Sequence, residues 1–206
     1  MKKILVLLFA FSLFTAIPAA AQFSYGLKAG ANLAQKPSTE INELKENLKG
    51  GTGWFVGPNV KYVISAIGLG VEADVLYSQT KLEVAGQSIM SQSIDIPLYL
   101  RFEISLPLVK NFLEPFIAVG PQFGWNIGDK EITLDYLKNE DYSKYTLNNS
   151  DISFNIGAGV TMFKHLQVHC NYNLALGKTA EIKNFDATEV MELKTSKWQL
   201  SLAYIF

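Results

Sequence analysis

The chain has 206 residues, 49% hydrophobic and 18% charged, with one cysteine, two histidines and a formal net charge of −1. Eighteen basic against nineteen acidic residues leave no excess to attract nucleic acid, and one cysteine excludes an internal disulfide framework or a multi-cysteine metal site. The apolar fraction is too high for a disordered chain, yet beyond residue 20 no apolar run approaches the roughly 18 residues a membrane helix needs.

Lys2 and Lys3, the apolar stretch Ile4–Phe14 and the small residues Ala19, Ala20 and Ala21 before Gln22 have the layout of a cleavable export signal. The expected division is a signal peptide over 1–21 and one domain over 22–206. No cysteine follows the cleavage point, so this is not a lipoprotein signal, and losing two lysines leaves a mature charge of −3.

From Phe23 onward the chain alternates at period two. Phe23, Tyr25, Leu27, Ala29 and Ala31 are apolar, while Ser24, Gly26, Lys28, Gly30 and Asn32 separate them. Strict alternation predicts a strand with one apolar and one polar face. A second strand runs over Trp54–Ile64, with Phe55, Gly57, Asn59, Lys61 and Val63 on the other face. A third covers Leu69–Ser78, setting Val71, Ala73, Val75 and Tyr77 against Glu72, Asp74 and Leu76. A fourth, Ile94–Ile104, sets Ile96, Leu98, Leu100 and Phe102 against Asp95, Pro97, Tyr99, Arg101 and Glu103. The fifth is Leu113–Trp125, the sixth Ile152–Met162, the seventh Leu166–Ala175 and the eighth Trp198–Phe206. The fold class is therefore all-β, with an even count of eight strands.

Short links near Ser65–Gly68, Leu106–Asn111 and Lys164–His165 join strands 2–3, 4–5 and 6–7. Longer polar segments near Ala34–Gly53, Gln79–Gln92, Asn126–Ser150 and Gly177–Ser196 make the other connections. Short turns at one end and long loops at the other are the layout of an antiparallel up-and-down transmembrane barrel. A soluble barrel would need a densely charged outer face, which Gly26, Gly30, Gly57, Gly120, Gly157 and Gly159 do not supply. Small polar residues suit a narrow lumen, so the apolar faces are expected to meet lipid. Trp54, Tyr77, Trp125 and Trp198 fall near the outer ends, and Phe23, Tyr25, Tyr62, Tyr204 and Phe206 near the inner ones, as two interfacial girdles. The alternating end with Tyr204 and terminal Phe206 resembles the C-terminal assembly signal of outer-membrane barrels, which implies handling by the barrel-assembly machinery.

The segments YGLKAGAN (25–32), DVLYSQ (74–79), IDIPLYLR (94–101), PFIAVGP (115–121), GAGV (157–160), YNL (172–174) and QLSLAYIF (199–206) occur in this order. Together they resemble the PorT-like outer-membrane β-barrel family over essentially the whole mature chain. The resemblance implies location in the outer membrane of a Gram-negative bacterium, and most members of that family carry no assigned activity.

His165 and His169 stand four apart, a ligand spacing on a helix, but on a strand they are roughly 13 Å apart at 3.3 Å per residue, too far for one metal. His169 is expected inward among Gln167, Asn171 and Asn173, as a lumen hydrogen-bonding group. A lipid-modifying hydrolase would need a Ser and a His at a lipid-facing opening, which an inward His169 does not offer. Arg101 is the only arginine and is expected inward with Glu72, Asp74, Glu103 and Glu114, balanced by Lys28 and Lys61. A guanidinium among carboxylates in a narrow lumen forms a structural plug or the constriction of a small pore, and the narrow bore favours the plug. Cys170 is expected to face lipid as a small apolar group. Glu40–Lys49 has charges at helical spacing, and Asp129–Tyr145 carries Tyr136, Tyr142 and Tyr145 as a possible recognition surface. Pro58, Pro97, Pro115 and Pro121 sit inside expected strands, where bulges or displaced strand starts would accommodate them.

The sequence thus points to a monomeric, cofactor-free integral outer-membrane barrel surrounded by outer-membrane lipids. Its expected role is structural or extracellular-loop-binding and non-catalytic, with a narrow channel for small solutes or ions as the alternative and a lipid-modifying enzyme third.

Overall fold

The computed structural model describes residues 21–35, 48–84, 87–104, 112–128, 131–134, 143–147, 149–177, 180–183 and 190–206. Among these residues the strands are β1 (Ala21–Ala34), β2 (Leu48–Ile64), β3 (Leu69–Asp74), β4 (Leu76–Val84), β5 (Gln87–Glu103), β6 (Leu113–Asn126), β7 (Glu131–Leu134), β8 (Ser143–Leu147), β9 (Ser150–Met162), β10 (Leu166–Ala175), β11 (Ala180–Lys183), β12 (Val190–Leu193) and β13 (Lys197–Ile205). β3 and β4 form one wall strand interrupted at Val75, and the order β1-β13-β10-β9-β6-β5-β3/β4-β2 closes when β2 pairs with β1. The result is a closed antiparallel barrel of eight walls.

Alternation decides which face goes where. Leu27, Val71, Leu100, Ile117, Ile156 and Leu200 on the apolar faces are exposed on the outside. Nineteen polar or charged side chains are buried inside, against eight hydrophobic ones, among the described residues. That is the inverse of a soluble core, as a wall facing lipid requires.

Two of the buried aromatics depend on glycine. Phe55 pairs across the β1–β2 ladder with Gly30, and Phe116 across β6–β9 with Gly159. Each ring lies where the glycine's Cβ would stand, so a large ring can lie flat inside a narrow bore.

The prolines do not create bulges. The β6–β9 register runs unbroken past Pro115 and Pro121, the β1–β2 register past Pro58, and the β5–β6 register keeps its phase past Pro97 although its pairing skips Leu98 and Tyr99 opposite Pro121 and Gly120. What they do is interrupt the ladder in register. The Pro58 carbonyl accepts the Val75 amide at 3.1 Å, so the side of Pro58 that lacks a donor faces Val75. Pro97, in register between Ala73–Leu98 and Leu76–Asp95, stands opposite Asp74 on the other flank. The break between β3 and β4 is thus bracketed by two residues that cannot donate. The one register shift seen in these ladders is elsewhere, between Lys49 and Thr52 of β2.

At the inner end the β9–β10 link is the three residues 163–165, a turn with Phe163 and Lys164 at φ 51° and 64°, closed by the His165 amide on the Met162 carbonyl at 3.1 Å. At the outer end the expected loops are partly strand. β4 and β5 run on to Val84 and from Gln87 as a hairpin, and Leu48 and Lys49 belong to β2 rather than to a helix. The rest of the helix expectation, residues 40–47, lies outside the described residues, as do residues 1–20 with Ala19. Ala21 and Gln22 open β1. A second sheet, ordered β12-β11-β8-β7, joins the two longest loops.

Aromatic contacts gather at both ends. Trp54–Tyr77 (5.6 Å) and Tyr172–Trp198 (4.8 Å) lie outward near the long-loop end. Tyr25–Phe206 (5.5 Å), Tyr204–Phe206 (5.3 Å) and Phe112–Phe163 (6.2 Å) lie near the short-turn end. The Phe206 amide donates to Tyr25 O at 2.8 Å, which ties the C-terminus across the β1–β13 closure.

Candidate functional site

Among the described residues, the lumen gathers a cluster of buried charges. Lys28 enters from β1, Lys61 from β2, Glu72 and Asp74 from β3, and Arg101 and Glu103 from β5, each on the inward face of its strand. The Lys28 ammonium donates to both Glu72 and Asp74. Arg101 Nη1 lies 2.7 Å from the second Glu72 oxygen, and its Nε is 3.0 Å from Glu103. Lys61 reaches Glu103 at 3.5 Å. Six of the seven residues expected in this network are therefore joined, and their charges cancel. Glu114 is half-buried and joins none of these ion pairs.

Arg101 is the centre of the arrangement. Its solvent exposure is 0%, and it also donates from Nη1 to Gln167 Oε1 (2.9 Å) and from Nη2 to Thr161 (3.0 Å). Its guanidinium carbon lies 3.4 Å from the centre of the Phe116 ring. One side chain from β5 thus touches β3, β6, β9 and β10, across the bore. A planar fork with five donors can do this, whereas a lysine ammonium cannot. Asn59 adds donors to Glu72 (3.0 Å) and to Asp74.

Toward the long-loop end the charges give way to amides. Asn155 donates to Gln122 (3.0 Å), Asn171 to Asn155 (3.0 Å) and Gln199 (2.9 Å), and Gln199 to Asn32 (2.9 Å). Beyond them Lys197 and Asp95 form a separate ion pair at 3.5 Å. Alternation put Asp95 on the inward face, but its pairing with Lys197 depends on strand tilt, which one-strand periodicity does not carry. The same holds for Thr161 and Gln167 as partners of Arg101.

His169 is buried between Tyr99 (5.5 Å) and Phe116 (5.2 Å), while Ser201 reaches it only at its main-chain carbonyl, 3.4 Å away. His165 lies in the turn and donates from Nδ1 to Ile205 O at 2.8 Å. One ring belongs to the inner-end turn and the other to the lumen, and among the described residues no group of three metal-ligating side chains occurs. Cys170 is exposed on the outer face. Tyr145 lies in β8, while Tyr136 and Tyr142 fall outside the described residues.

Within the lumen, the void bounded by Lys28, Asp74, Tyr99, His169 and Asn171 measures about 10 Å³, about the room one water molecule needs.

Solved structures share this fold. Neisserial surface protein A aligns with a TM-score of 0.51 at 14% identity, covering 90% of this chain and 99% of that one. Ail, the attachment invasion locus protein of Yersinia pestis, gives 0.46 at 11% identity over 90% and 99% of the two chains. OprG from Pseudomonas aeruginosa gives 0.44 at 13% identity over 89% and 95%. No curated protein matches by sequence. Residues 18–181 match the family of the outer membrane protein beta-barrel domain, and the chain belongs to that family.

Proposed function

We propose that this protein is a closed, non-conducting and non-catalytic outer-membrane barrel, exported by its N-terminal signal, whose role lies in the strands and loops it holds at the long-loop end. The carrying observation is Arg101, fully buried and bonded across the bore to Glu72, Thr161 and Gln167. A small-solute channel would require that cluster to part, leaving buried charges unpaired, at a cost of about 3–5 kcal/mol for each broken pair. The ordered motifs quoted above support membership of the PorT-like subgroup, and the alternating C-terminal end supports assembly through Tyr204 and Phe206.

Osmotic swelling of proteoliposomes in isosmotic glycine tests the reading. Closed barrels swell no faster than protein-free vesicles, and swelling with wild-type protein would favour the channel.

A further inference from the structure

The outer wall carries a groove. Its cavity of about 610 Å³ opens on the lipid-facing side of β2, β3, β5 and β6, within the roughly 300–1,000 Å³ of small-molecule sites. Two lateral rows of outward side chains border it. In the row nearer the inner end, Tyr62, Val71, Leu100 and Val119 are successive register partners. In the next row Ala73 stands between the larger Val60 and Leu98, so that row dips at β3. At the same level the β5–β6 pairing lapses at Leu98 and Tyr99 opposite Pro121 and Gly120, and all four line the groove.

The groove is also inclined. Tyr62 lies two residues before Ile64 at the inner end of β2, Leu100 three before Glu103 of β5, and Val119 six after Leu113 of β6. It therefore climbs from Phe23 and Tyr62, on the inner aromatic girdle, toward the middle of the apolar band.

We propose that this groove holds one acyl chain of a phospholipid from the inner leaflet, with the headgroup at the Tyr62 end. Location, width and chemistry select that occupant. The groove opens into the apolar band, where acyl chains are the solvent. Its two rows are separated by two residues, roughly 6.8 Å at 3.4 Å per residue. That is too narrow for a helix, which is about 10–12 Å across. An extended peptide laid along it would leave amides unpaired in hydrocarbon, since the bordering side chains are apolar apart from the Tyr62 hydroxyl. An alkyl chain carries no such group. Packing supplies the attraction: a chain lying in the groove touches its floor and both banks, whereas lipid passing over it would leave a gap whose lining has lost its neighbours. This goes beyond the closed-barrel reading, which concerns the lumen alone, and it would stand even if the lumen conducted.

Photolabelling tests it. The protein is reconstituted in vesicles of phosphatidylethanolamine and phosphatidylglycerol that contain a phosphatidylcholine bearing a diazirine on one acyl chain. The diazirine sits near the carboxyl end of the chain in one probe and near the methyl end in the other, and labelled residues are mapped by mass spectrometry. Leu200 and Leu202 on β13 serve as the reference, because they are at least as exposed as Val71 and Leu98. Labelling at Val71 and Leu98 should exceed theirs several-fold. The carboxyl-end probe should mark Phe23 and Tyr62, and the methyl-end probe Pro121 and Phe154. Ala73→Trp, which fills the groove, should bring Val71 and Leu98 down to the reference level, and the smaller filling Ala73→Leu should fall between. A heat-modifiable band confirms folding of each variant. Equal labelling of groove and reference, a reversed order of the two probes, or labelling indifferent to both substitutions would overturn the proposal. So would disulfide dimers that form faster through Leu98→Cys than through Leu200→Cys in a Cys170→Ala background, which would make a second copy the occupant.

Discussion

Arg101 of β5 and Glu72 of β3 form an ion pair of 2.7 Å with both side chains fully withdrawn from solvent. Glu72 also accepts from Lys28 and Asn59, so one carboxylate serves two cations and an amide. Such a group has no water to fall back on, and its neighbours inherit any loss.

Glu72→Gln should therefore be severe despite its small change in volume. It leaves Arg101 and Lys28 with reduced compensation, and the expected cost is about 3–5 kcal/mol. Urea unfolding in lipid vesicles, followed by tryptophan fluorescence, measures it. In Glu72→Gln/Lys28→Met the loss should be smaller than the sum of the two single losses, because the partners share one network.

Arg101→Lys should behave as a deletion rather than a conservative change. A lysine keeps the charge but forfeits the fork that reaches Thr161, Gln167 and Glu103 together. Unfolding free energy should fall by at least about 2 kcal/mol, within the range for hydrogen bonds to charged groups, and full retention of stability would contradict the bridging role.

The outer face follows a different rule. Ile156 sits mid-strand in β9 on the outside, and Ile156→Arg should cost about 2–4 kcal/mol, as a charge at the bilayer midplane does. Met90→Arg, on the exposed hairpin above the wall, should stay within about 0.5 kcal/mol of wild type. Equal effects at the two sites would mean that the membrane boundary is misplaced.

Gly159→Ala tests the aromatic packing. A methyl there meets the Phe116 ring and the Val168 carbonyl, so Phe116 must leave its place against Arg101, at about 1–3 kcal/mol. At the inner end the sign reverses. Lys164 holds φ 64° without being glycine, and Lys164→Gly should stabilise by on the order of 0.5–1 kcal/mol by removing left-handed strain. Both are read from the same urea titration.

The strands and their faces were legible because period two has an unambiguous meaning when one side meets lipid and the other a polar lumen. Phe55 and Phe116 were less so, since their inward place makes sense only beside Gly30 and Gly159 on the next strand. Of the two accommodations expected for the prolines, bulges are absent at them, while β2 and β5 do start earlier than expected. A missing donor does not require a bulge, because the chain places Pro58 and Pro97 around a single break at Val75 and keeps register. The four-residue strands β7, β11 and β12 carry too few repeats to show a period alone, and only pairing between the two loops reveals them as strands. In the lumen, inward placement was readable and partnership was not, because Arg101 meets Gln167 through the geometry of closure.

The central claim is that Arg101 and its partners close the bore. Single-channel recording in planar bilayers, comparing wild type with Arg101→Ser, tests it most directly. Wild type should show no unitary steps, and the truncation, which vacates the space between Glu72, Thr161 and Gln167, should introduce them. Regular steps from the wild-type protein, unchanged in Arg101→Ser, would contradict the account.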